Sequence, residues 1–239
     1  MRTSKRVLLG AAIGAMIAMF SMPAHAAGTL TLYDGVNPLI TVTDNGPGDF
    51  NPVTGSVLIV TNVGVWNLAI SSGLTKPVTG SSTDPVMDVN LQANSTAAGS
   101  LRLVFSDNGF GPAAGVLQET ISGHLTAGAP ATASTDVYGD PANVVGATTV
   151  HIAGTGTLSF PIGPTTASGL LSLGAPFSLT EVEQIVASGP TFVNTDFSFE
   201  VVGELPVPDT GRTAILLAAA GGSLWFANRK LKPSQSRAG

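Results

Sequence analysis

Short apolar runs broken by turn residues recur along most of this chain. TLTLYDG, PLITVTDNG, SVLIVTNVG, VWNLAIS, VMDVNLQ, SLRLVFSDNG, VLQETISGHLT, TTVHIAG, GTLSFPI and TDFSFEVV each read as a strand. Several alternate cleanly. Trp66, Leu68 and Ile70 fall on one face, with Val65, Asn67 and Ala69 on the other. Leu101, Leu103 and Phe105 oppose Arg102 and Val104, and Phe197 and Phe199 alternate with Ser198 and Glu200. Side chains of a strand point to opposite faces in turn, so this period of two describes sheets with one buried side. Repeated over so many segments, it predicts an all-β, antiparallel β-sandwich of the jelly-roll kind.

Turn chemistry divides the runs. Asp44-Asn45-Gly46 and Asp107-Asn108-Gly109 both carry Asn-Gly, which tolerates positive φ and predicts type I′ hairpins. Asn62-Val63-Gly64 separates two apolar runs and can close a third. The two x-Asp-Asn-Gly-x-Gly segments resemble each other, as a duplicated half-sandwich would, although a common turn recurring by chance explains them equally well. SLTEVEQIVAS, Ser178 to Ser188, is ambiguous. Ser178 and Glu181 fit a helix capping box, and Leu179, Val182, Ile185 and Val186 fall at helical spacing. The β-rich context, and an apolar strand soon after Gly189-Pro190, favour a strand.

The two ends break this pattern. Arg2, Lys5 and Arg6 precede an uncharged apolar run, Val7 to Phe20, and then Pro23 and Ala24-His25-Ala26. That is the layout of a secretory signal peptide cut by signal peptidase after Ala26, with Ala24 and Ala26 as the small residues of the site. Near the other end, Thr213 to Ala227 is an uncharged stretch shorter than the ~20 residues a bilayer core needs. Arg229, Lys230 and Lys232 follow it as a stop-transfer cluster. The expected organisation is therefore a signal peptide (1–26), a sandwich domain (27–202), a linker with a motif (203–211), and a short transmembrane helix with a basic tail (212–239).

Charge supports that division. The chain holds 10 Lys and Arg against 15 Asp and Glu, a net charge of −5. Between Ala27 and Leu205 the basic residues are only Lys76 and Arg102, set against fourteen acids, a net charge of about −12. A domain this acidic repels nucleic acid and anionic lipid, so nucleic acid is not an expected partner. Basic ends stay on the cytoplasmic side while the acidic domain crosses. There is no Cys, and so no disulfide or thiol chemistry.

Val207-Pro208-Asp209-Thr210-Gly211 stands just before the apolar stretch, and Pro208 holds it extended. Val-Pro-Asp-small-Gly, a short apolar helix and a terminal Arg/Lys cluster together resemble the VPDSG variant of PEP-CTERM sorting signals. The resemblance covers about the last 30 residues, with Thr210 where that variant has Ser. It implies an exported protein, held transiently in the inner membrane, processed by an exosortase-like protease, and released to the cell surface or an exopolysaccharide matrix. The same residues are similar to the x-P-x-T-G signal of sortase substrates, with Val207 in place of Leu. Either way the processing cysteine belongs to the partner enzyme.

No motif in the domain carries catalysis. His124 and His151, with Asp136 or Asp140, are candidates for a metal site or a His–carboxylate pair. Asp44, Asn45, Asp49 and Asn51 are oxygen donors that would suit Ca²⁺, the one cofactor considered, but their spacing departs from the EF-hand pattern, and Asx turns use the same residues. Asp84, Asp88 and Asp107 are weaker donors. Glu119, Glu181 and Glu183, in apolar surroundings, are candidates for a paired-acid site. Trp66 is expected in the core, which leaves Phe50 and Phe110 as loop aromatics able to stack on a sugar. Two roles remain: a non-catalytic structural or adhesive surface domain, or a glycan-binding module, Ca²⁺-dependent or not.

Overall fold

The computed structural model describes residues 28–35 and 37–203. The signal segment with Ala24 and Ala26, the motif from Val207 to Gly211 and the cluster of Arg229, Lys230 and Lys232 lie outside the described residues.

Two antiparallel sheets face one another. The first hairpin, β1 (Thr29–Asp34) and β2 (Asn37–Thr43), opens a seven-stranded sheet. The chain then crosses to a six-stranded sheet and lays down β3 (Ser56–Val63), β4 (Trp66–Leu74) and β5 (Val86–Ser95) as neighbours. It returns for β6 (Gly99–Phe110), crosses for β7 (Ala113–Gly128), and returns for β8 (Ala131–Asp140), β9 (Val150–Gly154) and β10 (Leu158–Ser159). β11 (Ile162–Leu173) edges the six-stranded sheet. The last two strands enter the middle of each sheet: β12 (Phe177–Ala187) between β6 and β8, and β13 (Thr191–Val202) between β5 and β7. Every pairing is antiparallel, so the expected β-sandwich is the observed fold.

Alternation builds the core. Leu30, Leu32, Leu101, Leu103, Phe105, Leu179 and Ile185 from one sheet meet Trp66, Met87, Leu91, Leu117, Ile121, Phe197 and Phe199 from the other, all fully or nearly buried. Each such side chain contributes about 1.5–3 kcal/mol, which offsets the entropy of ordering a Gly- and Thr-rich chain. On β4 a bulge between Leu68 and Ile70 shifts the expected phase, so that Ser71 turns inward.

The ambiguous segment 178–188 is strand. Its period-two phase puts Leu179, Glu181, Glu183 and Ile185 inward, and both neighbouring strands hydrogen-bond to it along its length. A helix there would leave the edges of β6 and β8 unpaired.

Two of the three expected turns need correction. Asn62-Val63-Gly64 does close a hairpin, with Gly64 at φ 55° and Val63 opposite Trp66. Asp44-Asn45-Gly46 instead ends β2 at a crossover between sheets, with only Asn45 at positive φ (56°). Asp107-Asn108-Gly109 lies inside β6, because its carboxylate is drawn inward to Lys76 and Thr75. Both segments lie where the strands flanking β1 run out, at the same end of the sheet, and there Asp44 feels the charge of Asp107. Each segment precedes a crossover to the other sheet.

Candidate functional site

The outer face of the seven-stranded sheet gathers the scarcest side chains of the domain. Both tyrosines of the chain, Tyr33 and Tyr138, the domain's one arginine, Arg102, and one of its two histidines, His151, project there. Strand pairing sets the rows. Tyr33, Arg102, Gln184 and Ser134 stand opposite one another on β1, β6, β12 and β8. Two positions along, Val104, Val182 and Asp136 form the next row. Thr180, Tyr138 and His151 form a third. Val104 and Val182 are 5% and 6% exposed, so the middle row is an apolar floor under polar and aromatic neighbours.

Local contacts hold this surface. The Arg102 guanidinium lies over the Tyr33 ring, 4.9 Å from its centroid. The His151 ring meets Tyr138 edge-on, with centroids 5.2 Å apart, and its Nε2 stands 2.9 Å from Asp136 Oδ1. Burial, and then the charge of Asp136, push the Tyr138 phenol up, while Arg102 pulls it back. The two tyrosines are separated by three strand spacings and four residues, a diagonal of about 20 Å.

A loop walls one side. Between β8 and β9, Val144 N–H and the Thr149 hydroxyl both donate to the Asp140 carboxylate, at 2.9 and 2.8 Å. These bonds hold Asp140 below its ordinary carboxylate range. Ser178 donates to the Val144 carbonyl at 2.7 Å, and Gly146 N–H donates to Ser106 Oγ at 2.9 Å. Asp140 is thus committed to its loop, and it is Asp136 that pairs with His151. The pair is open to solvent, with side chains 52% and 37% exposed. His124 sits opposite Asn194 on the outer face of the other sheet, so the two histidines share no site.

The glutamates do converge, but not at a surface. Glu119 from β7 and Glu181 and Glu183 from β12 point into the core, at most 1% exposed. Among the described residues Glu119 Oε1 accepts a 3.3 Å bond from the Thr135 hydroxyl, and neither oxygen of Glu181 finds a partner. Burial raises Glu119 and Glu183 to about 7 and Glu181 well above its ordinary value. Burial thus favours their protonated forms inside a packed interior. No substrate reaches them, which removes the paired-acid arrangement.

The acidic loop is also structural. Asp49 accepts from the N–H groups of Asn45, Asn51 and Leu58, and Asp44 accepts from Gly55 N–H and the Asn45 amide. The carboxylates thus face backbone amides, as Asx turns do. No three His, Asp or Glu among the described residues stand together as a metal site would require. Phe110 is core, stacked on Phe177 at 5.7 Å, whereas Phe50 is 65% exposed.

The opposite face differs in kind. Asn90, Gln92 and Asn194 line a shallow depression of about 110 Å³ on the six-stranded sheet. Beside it, burial and then the neighbouring Asp196 push Asp88 up to about 6.

No family model matches the chain, and no curated protein matches it in sequence. Solved structures that align with it include carbohydrate-binding modules. One is a family 61 module in complex with β-1,4-galactotriose: 11% identity over 64% of this chain and 90% of that one, TM-score 0.32. Another is a β-sandwich carbohydrate-binding module described for promiscuous specificity: 10% identity over 75% and 74%, TM-score 0.32. A third is a family 22 xylan-binding domain: 12% identity over 67% and 99%, TM-score 0.28. The sandwich itself rests on the strand pairing within this chain.

Proposed function

We propose that this domain is a non-catalytic glycan-binding module of an exported protein, and that the outer face of the seven-stranded sheet is its binding surface. One observation carries the reading: residue types that are nearly absent elsewhere in the domain collect on a single sheet face. Tyr33 and Tyr138 offer flat apolar rings to the faces of sugar rings, while Arg102, Gln184, Asp136 and His151 offer donors and acceptors to hydroxyls. The apolar floor of Val104 and Val182 keeps water from competing for those bonds. The net negative domain favours a neutral polysaccharide over a uronic-acid polymer.

Export fits this use. The signal-peptide layout, the VPDTG motif and the basic tail support delivery by signal peptidase and an exosortase-like protease to the cell surface, where exopolysaccharide is the available ligand. The rival, a purely structural envelope domain, predicts no saturable glycan binding. Calorimetric titration of the exported protein with neutral polysaccharides tests the reading. Binding that weakens at least tenfold in Tyr138→Ala, and persists in EDTA, is expected. A flat trace with every glycan, or an unchanged affinity in Tyr33→Ala and Tyr138→Ala, overturns it.

A further inference from the structure

Lys76 is the one lysine between Ala27 and Leu205, yet it is only 4% exposed. A lysine normally keeps its ammonium in water and buries only its stem. Here the ammonium is inside, 2.6 Å from Asp107 Oδ2 and 2.5 Å from the Asn108 carbonyl, with the Phe110 ring 3.8 Å away. Asp107 is fully buried. Its Oδ2 also accepts from the Thr75 hydroxyl at 2.7 Å, and its Oδ1 accepts from Asn108 N–H at 2.7 Å. Burying both charges costs hydration that their attraction and the surrounding hydrogen bonds must offset, and replacing such a pair by neutral groups is often neutral or stabilising.

We propose that Lys76 Nζ and Asp107 Cγ condense into an intramolecular amide bond, with loss of one water. The chemistry balances within the pair. A proton passes from the ammonium to Oδ2 along the 2.6 Å hydrogen bond, leaving a neutral amine beside a neutral carboxylic acid. Burial lowers the Lys76 amine, against the opposing pull of Asp107, which eases loss of its proton. The amine lone pair then adds to Cγ. Asn108 N–H, already on Oδ1, supports the negative charge that develops there. The Oδ2 oxygen departs as water with the acid's proton and one proton from the amine, and the Thr75 hydroxyl already donates to that departing oxygen. The C–N bond forms in the addition, and the C–O bond breaks when the water leaves. No oxidant, reductant or external group is required. Proximity supplies the rate, because amine and acid are held together at fixed geometry.

The bond would do for this chain what a disulfide does elsewhere. It ties the segment after β4 to β6 across 31 residues in a protein without cysteine. It would also remove the buried charges, and it would survive the extracellular surroundings proposed above.

Peptide mapping decides. The full chain is isolated from cells, denatured, digested with pepsin and analysed by mass spectrometry. The expected product is a linked peptide pair that holds Lys76 and Asp107 and weighs one water less than the two peptides together. Asp107→Ala is expected to yield only separate peptides. If that variant does not fold, the wild-type map still decides. Recovery of the Lys76 and Asp107 peptides only as separate, unmodified species overturns the proposal.

Discussion

Glu119 on β7 and Glu181 on β12 enter the core from opposite sheets, close enough that the Glu119 carboxyl, after burial itself, helps push Glu181 up. With Glu183 they place three acids where the alternation calls for apolar side chains. In that interior the carboxylates lose their hydration and hold their protons instead. The domain's working charge is correspondingly less negative than its composition implies.

Stability should therefore fall as pH rises. Glu119 and Glu183 move from 4.5 in the unfolded chain to about 7 in the fold, because burial disfavours the charged form. For acids shifted upward, the folded state binds more protons than the unfolded state between those two values. Their contribution is fully present below about 4.5 and is lost as pH climbs through about 7. Each is worth roughly 3 kcal/mol across that window. Denaturant unfolding at pH 5 and pH 8 should show the stronger fold at pH 5, and Glu183→Gln should flatten the slope. A midpoint independent of pH would contradict the protonated core.

The proposed binding face predicts separable effects. His151 and Asp136 form an exposed pair, so His151→Ala should cost at most about 1 kcal/mol of stability. If the pair hydrogen-bonds a sugar, the same change should weaken glycan binding severalfold. Arg102→Ala should reduce affinity as well, because it removes both a donor and the cation over Tyr33. Thermal melts and titrations on the same samples would separate the two effects.

Close packing between the sheets makes a third test. A Cβ added at Gly73 would stand 2.6 Å from the Phe105 ring. Phe105 is fully buried and cannot swing aside. Gly73→Ala should destabilise by about 1–3 kcal/mol through overpacking, visible as a lower denaturant midpoint with an unchanged slope. Gly163→Ala, where nothing lies within 4 Å, is the matched control.

Much of the fold was legible because alternation is a local property. Leu101, Leu103 and Phe105 point inward as their spacing predicts. β8 and β11 escaped notice for physical reasons. β8 buries Ala131, Ala133, Thr135 and Val137, side chains too small to form an apolar run. β11 buries only Ile162 and Leu171 and leaves Leu170 78% exposed. The Asn-Gly turns misled because Asp107 is claimed by a lysine 31 residues earlier, a tertiary contact invisible to turn statistics. The site was half legible. His151 with Asp136 was a candidate pair, but Tyr33, Arg102 and Gln184 join them only through the strand order β8-β12-β6-β1, which no local pattern encodes.

The tail carries the last prediction. If Thr213 to Ala227 enters the membrane as proposed, it is short for a bilayer, and its hold would depend on the cations that follow. Each Lys or Arg near an anionic leaflet is worth about 1 kcal/mol. Replacing Arg229, Lys230 and Lys232 together with Ala removes about 3 kcal/mol of that hold and the charge block to onward transfer. If an exosortase-like protease reads Val207 to Gly211 while the chain is paused, the variant should pass through unprocessed, and its mass should retain the residues after Gly211. The wild-type protein should be shorter at both ends, beginning at Ala27 and lacking the basic tail. Mass spectrometry of the secreted and membrane fractions compares the two. Wild-type protein that keeps the tail, or a variant processed as fully as wild type, would show that the tail does not act as a pause for cleavage.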